Sequence, residues 1–143
     1  MNRSLTRLAI IATIGSLLCS NPIVAQVLPP APKAAHVEII QGPELEVAHE
    51  NFAIIRWSCN NPGGADDHYG TVKYGTSPGN LSQTANSPIR LNRAHTETVF
   101  RVNVGGLKPQ TTYYYTVRSM GSDGSSDGVE SPVSQFTTPG PGK

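Results

Sequence analysis

The sequence predicts an all-β antiparallel sandwich, and three observations carry that prediction. Apolar residues alternate with period two through most of the chain after residue 36. Clusters of Gly, Pro, Asn and Asp interrupt the alternation at the short intervals a sandwich requires. The composition, with 14 Gly, 12 Pro and only 15% charged residues, suits short strands joined by turns rather than long helices. At 143 residues there is room for one domain with a real core and no second large one.

Taken in order, residues 1–25 follow the export pattern: basic Arg3 and Arg7, an apolar run from Leu8 to Leu18, then a polar stretch ending Ile23-Val24-Ala25. The run is shorter than the roughly 20 residues of a membrane span, and small Ala25 suits cleavage before Gln26. Lipid attachment at Cys19 is the rival reading and the one route to the membrane, but Leu17 and Leu18 are poor residues to precede a lipidated cysteine. Residues 26–35 hold three prolines and little to bury, so they read as a semi-rigid linker. The domain is expected over residues 36–139, with 140–143 as a tail that cannot continue a strand.

Within the domain, Val37 and Ile39 open the pattern. Ala53, Ile55, Trp57 and Cys59 then share an inward face, with Ile54, Arg56 and Ser58 opposite. Val72 and Tyr74 flank outward Lys73. Phe100, Val102 and Val104 alternate with Arg101 and Asn103. Tyr113, Tyr115 and Val117 point inward, which puts Thr112, Tyr114 and Thr116 outside, and Ser134, Phe136 and Thr138 share one side of the closing strand. The expected core is Ile55, Trp57, Val72, Tyr74, Leu107, Tyr113, Tyr115, Val117 and Phe136. Turns fall at Gly42-Pro43, 61–64, 77–80, Gly105-Gly106 and 122–124.

The run from Gly106 to Val117, with Leu107, Pro109, Thr111, Tyr113 and Val117 at their spacings, resembles the tyrosine-corner signature of fibronectin type III domains. The resemblance implies a seven-stranded, immunoglobulin-like sandwich in which Leu107 plugs the core and the Tyr113 hydroxyl reaches back to the chain upstream. More narrowly, Gly42-Pro43, the Trp57 strand, the run from Val72 to Pro78 and the Thr111–Tyr115 stretch are similar to the N-terminal accessory domain of purple acid phosphatases and related secreted metallophosphoesterases. In that family the two-metal site lies in a following catalytic domain. Its Gly-Asn-His motif is absent here, because Gly79-Asn80 is followed by Leu81.

Charge and cysteines narrow the function classes. Removing residues 1–25 leaves nine bases against ten acids, scattered singly, which argues against a nucleic-acid partner. Cys59 is then the only cysteine, so it reads as a small buried hydrophobe, with an intermolecular disulfide or a nucleophile as the sharper alternatives. His36, His49 and His95 lack a relay partner, and Glu44, Glu46 and Glu50 read as solvated on an exposed edge. No catalytic group and no cofactor is expected. Asp66, Asp67 and His68 gather in one loop as a conceivable cation site, and Asp123-Gly124 with Asp127-Gly128 resemble pieces of a calcium loop, although solvated turns explain both. In the proposed fold the loop 60–69 and the loop 121–128 emerge at one end, which makes Asp66, Asp67, His68, Asp123 and Asp127 a candidate partner-binding patch. Outward Tyr114 is the alternative surface, as a sugar-stacking or partner-contact residue. Asn80-Leu81-Ser82 is a glycosylation sequon. The expectation is an exported, non-catalytic module binding a protein or carbohydrate partner. A detached accessory domain working with a separate metallophosphoesterase and a passive spacer are the alternatives.

Overall fold

The computed structural model describes residues 36–60, 67–91, 95–126 and 128–142. The expected signal peptide, Cys19, the linker, Asp66 and Asp127 lie outside the described residues. The strands are β1 (Ile39–Ala48), β2 (Phe52–Asn60), β3 (Asp67–Gly75), β4 (Gln83–Asn86), β5 (Arg90–Leu91), β6 (Glu97–Gly105), β7 (Thr112–Gly121) and β8 (Ser134–Thr137). They form a three-stranded sheet ordered β1-β2-β6 and a five-stranded sheet ordered β4-β3-β7-β8, with β5 also on β3. All the pairings are antiparallel. Both β4 and β5 pair with β3 on the side away from β7, so they are two pieces of one edge strand broken at Ser87-Pro88-Ile89. Counted that way, the seven strand positions expected from the sequence are all present.

Strand alternation explains the core. From β2, Ala53, Ile55, Trp57 and Cys59 point inward with no exposed surface, and Phe100, Val102 and Val104 of β6 join them. The five-stranded sheet supplies Val72, Tyr74, Tyr113, Tyr115, Val117 and Phe136, all buried. Trp57 packs on Phe100, its cross-strand partner, at a centroid distance of 5.3 Å. Phe136 lies 5.8 Å from both Tyr113 and Tyr115. The indole also fixes the identity of residue 70: a Cβ on Gly70 would lie 2.6 Å from the Trp57 ring and 2.9 Å from the Phe100 Cβ.

The corner forms as the signature implies. Leu107 is buried, and the Tyr113 hydroxyl accepts a hydrogen bond from the Lys108 N–H at 3.0 Å. Two residues on the outward faces are nonetheless covered. Ser58 is only 2% exposed, because its short side chain sits between its cross-strand neighbours Gln41 and Val99. Thr116 is 5% exposed, because Glu130 folds onto it.

The domain's two ends are pinned at opposite poles. At the Asn60 end of β2, the Asn60 side chain donates to the His36 carbonyl and accepts from the Glu38 N–H. At the other pole, the Gly142 N–H donates to the Glu50 carboxylate at 3.2 Å.

Candidate functional site

The two loops of the expected patch do meet at one pole. Gly121 pairs with His68 in the β3–β7 ladder, and the Ser122 N–H donates to the Asp67 carbonyl at 3.0 Å. Among the described residues, His68 and Asp123 are placed differently from the sequence expectation. Strand β3 begins at Asp67, so Asp67, His68 and Tyr69 belong to the sheet rather than to a loop. His68 alternates in phase with Val72 and Tyr74 and is 2% exposed, which places it in the interior instead of in a solvent-facing cluster. Asp123 closes its own turn: its Oδ1 accepts from the Ser125 hydroxyl at 2.6 Å and from the Ser125 N–H at 2.9 Å. Those bonds hold the Asp123 carboxyl below the usual carboxylate range. Of the five residues, Asp67 alone is described, exposed and without a turn-closing role. Among the described residues no three His, Cys, Asp or Glu side chains are grouped to hold a metal ion.

The glutamates expected to be solvated all have partners. Glu44 pairs with Arg56 at 2.7 Å, Glu46 with Arg101 at 2.7 Å, and Glu50 takes the Gly142 N–H. Burial pushes the Cys59 thiol up to about 11, with the Trp57 indole nearby offsetting a little of the effect, although the indole N–H makes no hydrogen bond of normal geometry. A thiol buried in this way is a poor nucleophile.

The second candidate surface is the outer face of the five-stranded sheet, where β3 and β7 run side by side in unbroken register from His68–Gly121 to Gly75–Tyr114. Tyr114 is half-buried, lying between Gly75 on β3 and Gln135 on β8. Unlike Tyr113 and Tyr115, it stacks on no ring among the described residues. Lys73 is exposed two residue pairs further along, on the same face and opposite Thr116. Glu130, which sequence reasoning passed over, crosses onto this face from the connection ahead of β8. It accepts from the Thr116 hydroxyl at 2.5 Å and pairs with the Arg118 guanidinium. The Thr116 hydroxyl, then Arg118 and the charge of Lys73, hold the Glu130 carboxyl below the usual range against the cost of its partial burial. No local spacing links Glu130 to Thr116 or Arg118, so the sequence offered no signal for it.

Comparison with known proteins agrees with this architecture. The sequence profile of the purple acid phosphatase N-terminal domain matches residues 40–138. Among solved structures, the sensor domain of the anti-sigma factor RsgI4 from Pseudobacteroides cellulosolvens is similar in two forms. The short form is 17% identical with a TM-score of 0.52, covering 76% of this chain and 99% of that one. The long form is 16% identical with a TM-score of 0.50, covering 73% and 90%. At such identities the likeness is one of fold. No curated protein matches the chain. The profile spans β1 to the end of β8, including the core tryptophan and the tyrosine corner, and the chain accordingly belongs to the purple acid phosphatase N-terminal domain family.

Proposed function

We propose that this chain is an exported, non-catalytic interaction module that holds a protein or glycan partner in the extracytoplasmic space. One observation supports it above the others: among the described residues, most of the ionisable side chains weighed in the sequence hold strands and turns together or lie in the interior, Asp67 excepted. Glu44 and Glu46 tie β1 across its sheet, Asp123 closes a turn, and His68 lies in the interior. What remains for solvent is a regular sheet face and the tips of loops, the kind of surface a rigid scaffold presents to a partner. Export follows from the pattern of residues 1–25. The test is saturable capture of a component of the native envelope or secreted fraction by the purified protein, together with a phosphatase assay in added divalent metals. Capture without turnover supports the reading, and turnover by the purified chain alone contradicts it.

Family membership favours a second reading, an accessory domain acting with a separate metallophosphoesterase. It predicts that the captured component is a phosphoesterase. The opposite placement of His36 and Gly142 suits a third, a spacer that projects one attachment away from another. A spacer captures nothing saturably.

A further inference from the structure

We propose that the outer face of the five-stranded sheet docks a carboxylate-bearing polysaccharide, one sugar ring lying on Tyr114 and an acidic group meeting Lys73. This rests on the reading of the chain as a binding module and names its ligand class.

The ring is held ready by its neighbours. Tyr113 and Tyr115 are locked in the core on either side, so the backbone that carries Tyr114 is fixed. Opposite it on β3 stands Gly75, where a Cβ would lie 2.3 Å from the Asn80 carbonyl oxygen. The 77–80 turn therefore folds over the sheet at that point and makes a low wall beside the ring. On the other flank Gln135 is exposed, and the Thr112 and Thr137 hydroxyls bond each other at 2.8 Å. An aromatic plane bordered by amide and hydroxyl groups suits a sugar, which offers C–H groups to the ring and hydroxyls to the border.

Charge decides which sugar. Lys73 is a diagonal neighbour of Tyr114 across the β3–β7 ladder, a separation of about 7–8 Å that one sugar residue spans. Among the described residues it makes no ion pair. The carboxylate whose charge it feels, Glu130, is engaged by Thr116 and Arg118. Arg118 and Glu130 cancel and Asp67 lies at the far end of β3, so the described charge beside Tyr114 is the cation Lys73, although acids outnumber bases in the chain beyond residue 25. One free cation beside an aromatic ring complements a uronate. A nucleic acid needs several clustered cations. A protein partner needs an apolar centre, whereas the exposed large apolar side chains Ile40, Leu45, Ile89, Val99 and Val133 are spread over β1, β6 and two connections.

The experiment titrates the purified protein with polygalacturonate, alginate and hyaluronate, each beside its esterified, uncharged form. Saturable binding to at least one acid polymer, weaker for its ester and weakened by salt, is expected. Tyr114→Ala should reduce affinity by at least about tenfold, as loss of a central aromatic contact does, while Tyr114→Phe should retain it. Lys73→Gln should remove the preference for the acid over the ester. Unfolding midpoints of the variants show whether each remains folded. Binding to none of the three polymers, or binding that survives Tyr114→Ala, overturns the proposal. If the protein then still captures a native extracytoplasmic protein, the binding-module reading stands and only its ligand class is wrong. If it captures nothing, both fall.

Discussion

On the three-stranded sheet, β1 is an edge strand whose pairing with β2 shifts register at three places. Its outer face is crossed by Glu44 reaching Arg56 and Glu46 reaching over β2 to Arg101. Arg56 and Arg101 are direct cross-strand partners, like charges that would repel if the two glutamates did not neutralise them. On the five-stranded sheet, β3 and β7 pair without a register shift and lie in the middle of their sheet. That ladder needs no such clamp, and its outward Tyr114 and Lys73 are left uncommitted. The contrast teaches that charge on a sandwich surface is a poor guide to function by itself. At the irregular β1 edge the described charges are spent holding strands, and on the regular β3–β7 face Glu130 holds Arg118 and Thr116 while Lys73 is left over.

Both faces rest on one core, so removing its centre should collapse the contrast altogether. Trp57→Ala is expected to cost about 3–5 kcal/mol, a large share of a small domain's stability. Chemical denaturation followed from each sheet separately should show both lost in one transition. Gly70→Ala probes the same contact from the opposing sheet. Its new Cβ must push into the Trp57 ring, and overpacking of this kind costs about 1–3 kcal/mol.

Tyr113→Phe removes one hydrogen bond to the Lys108 N–H and should cost about 1 kcal/mol in the same assay. The packing of its ring on Phe136 is retained.

The smallest effects separate the two faces. Because the folded state holds the Glu130 carboxyl below its ordinary range, its contribution is fully present above that range and is lost as pH falls through the depressed value. Glu130→Gln should therefore cost about 1 kcal/mol or less near neutrality and remove that part of the acid sensitivity, measured by unfolding midpoints from pH 7 to pH 3. Glu44→Gln, on the more exposed pair with Arg56, should cost under about 1 kcal/mol. Salt should erase that cost more readily than the Glu130 one.

The core was legible because alternation and the tyrosine corner are local patterns, and each of the nine expected core residues, from Ile55 to Phe136, is buried. His68 was misplaced for a local reason. Counting back by twos from Val72 passes through Gly70, which has no side chain to mark the inward face, and leads to His68 on that face. Thr116 and Glu130 were illegible for a different reason: they meet through the irregular connection between β7 and β8, which has no period to read. The same early start of β3 moves Asp67 from the expected loop into the sheet.

The most direct test of the contrast between the faces is an amide chemical-shift map of the protein titrated with an oligouronate. Perturbations should gather at Lys73, its β4 partner Thr84, Tyr114 and Gln135 and leave Arg56 and Arg101 unmoved. Perturbations centred on Arg56 and Arg101, with Tyr114 silent, would contradict it.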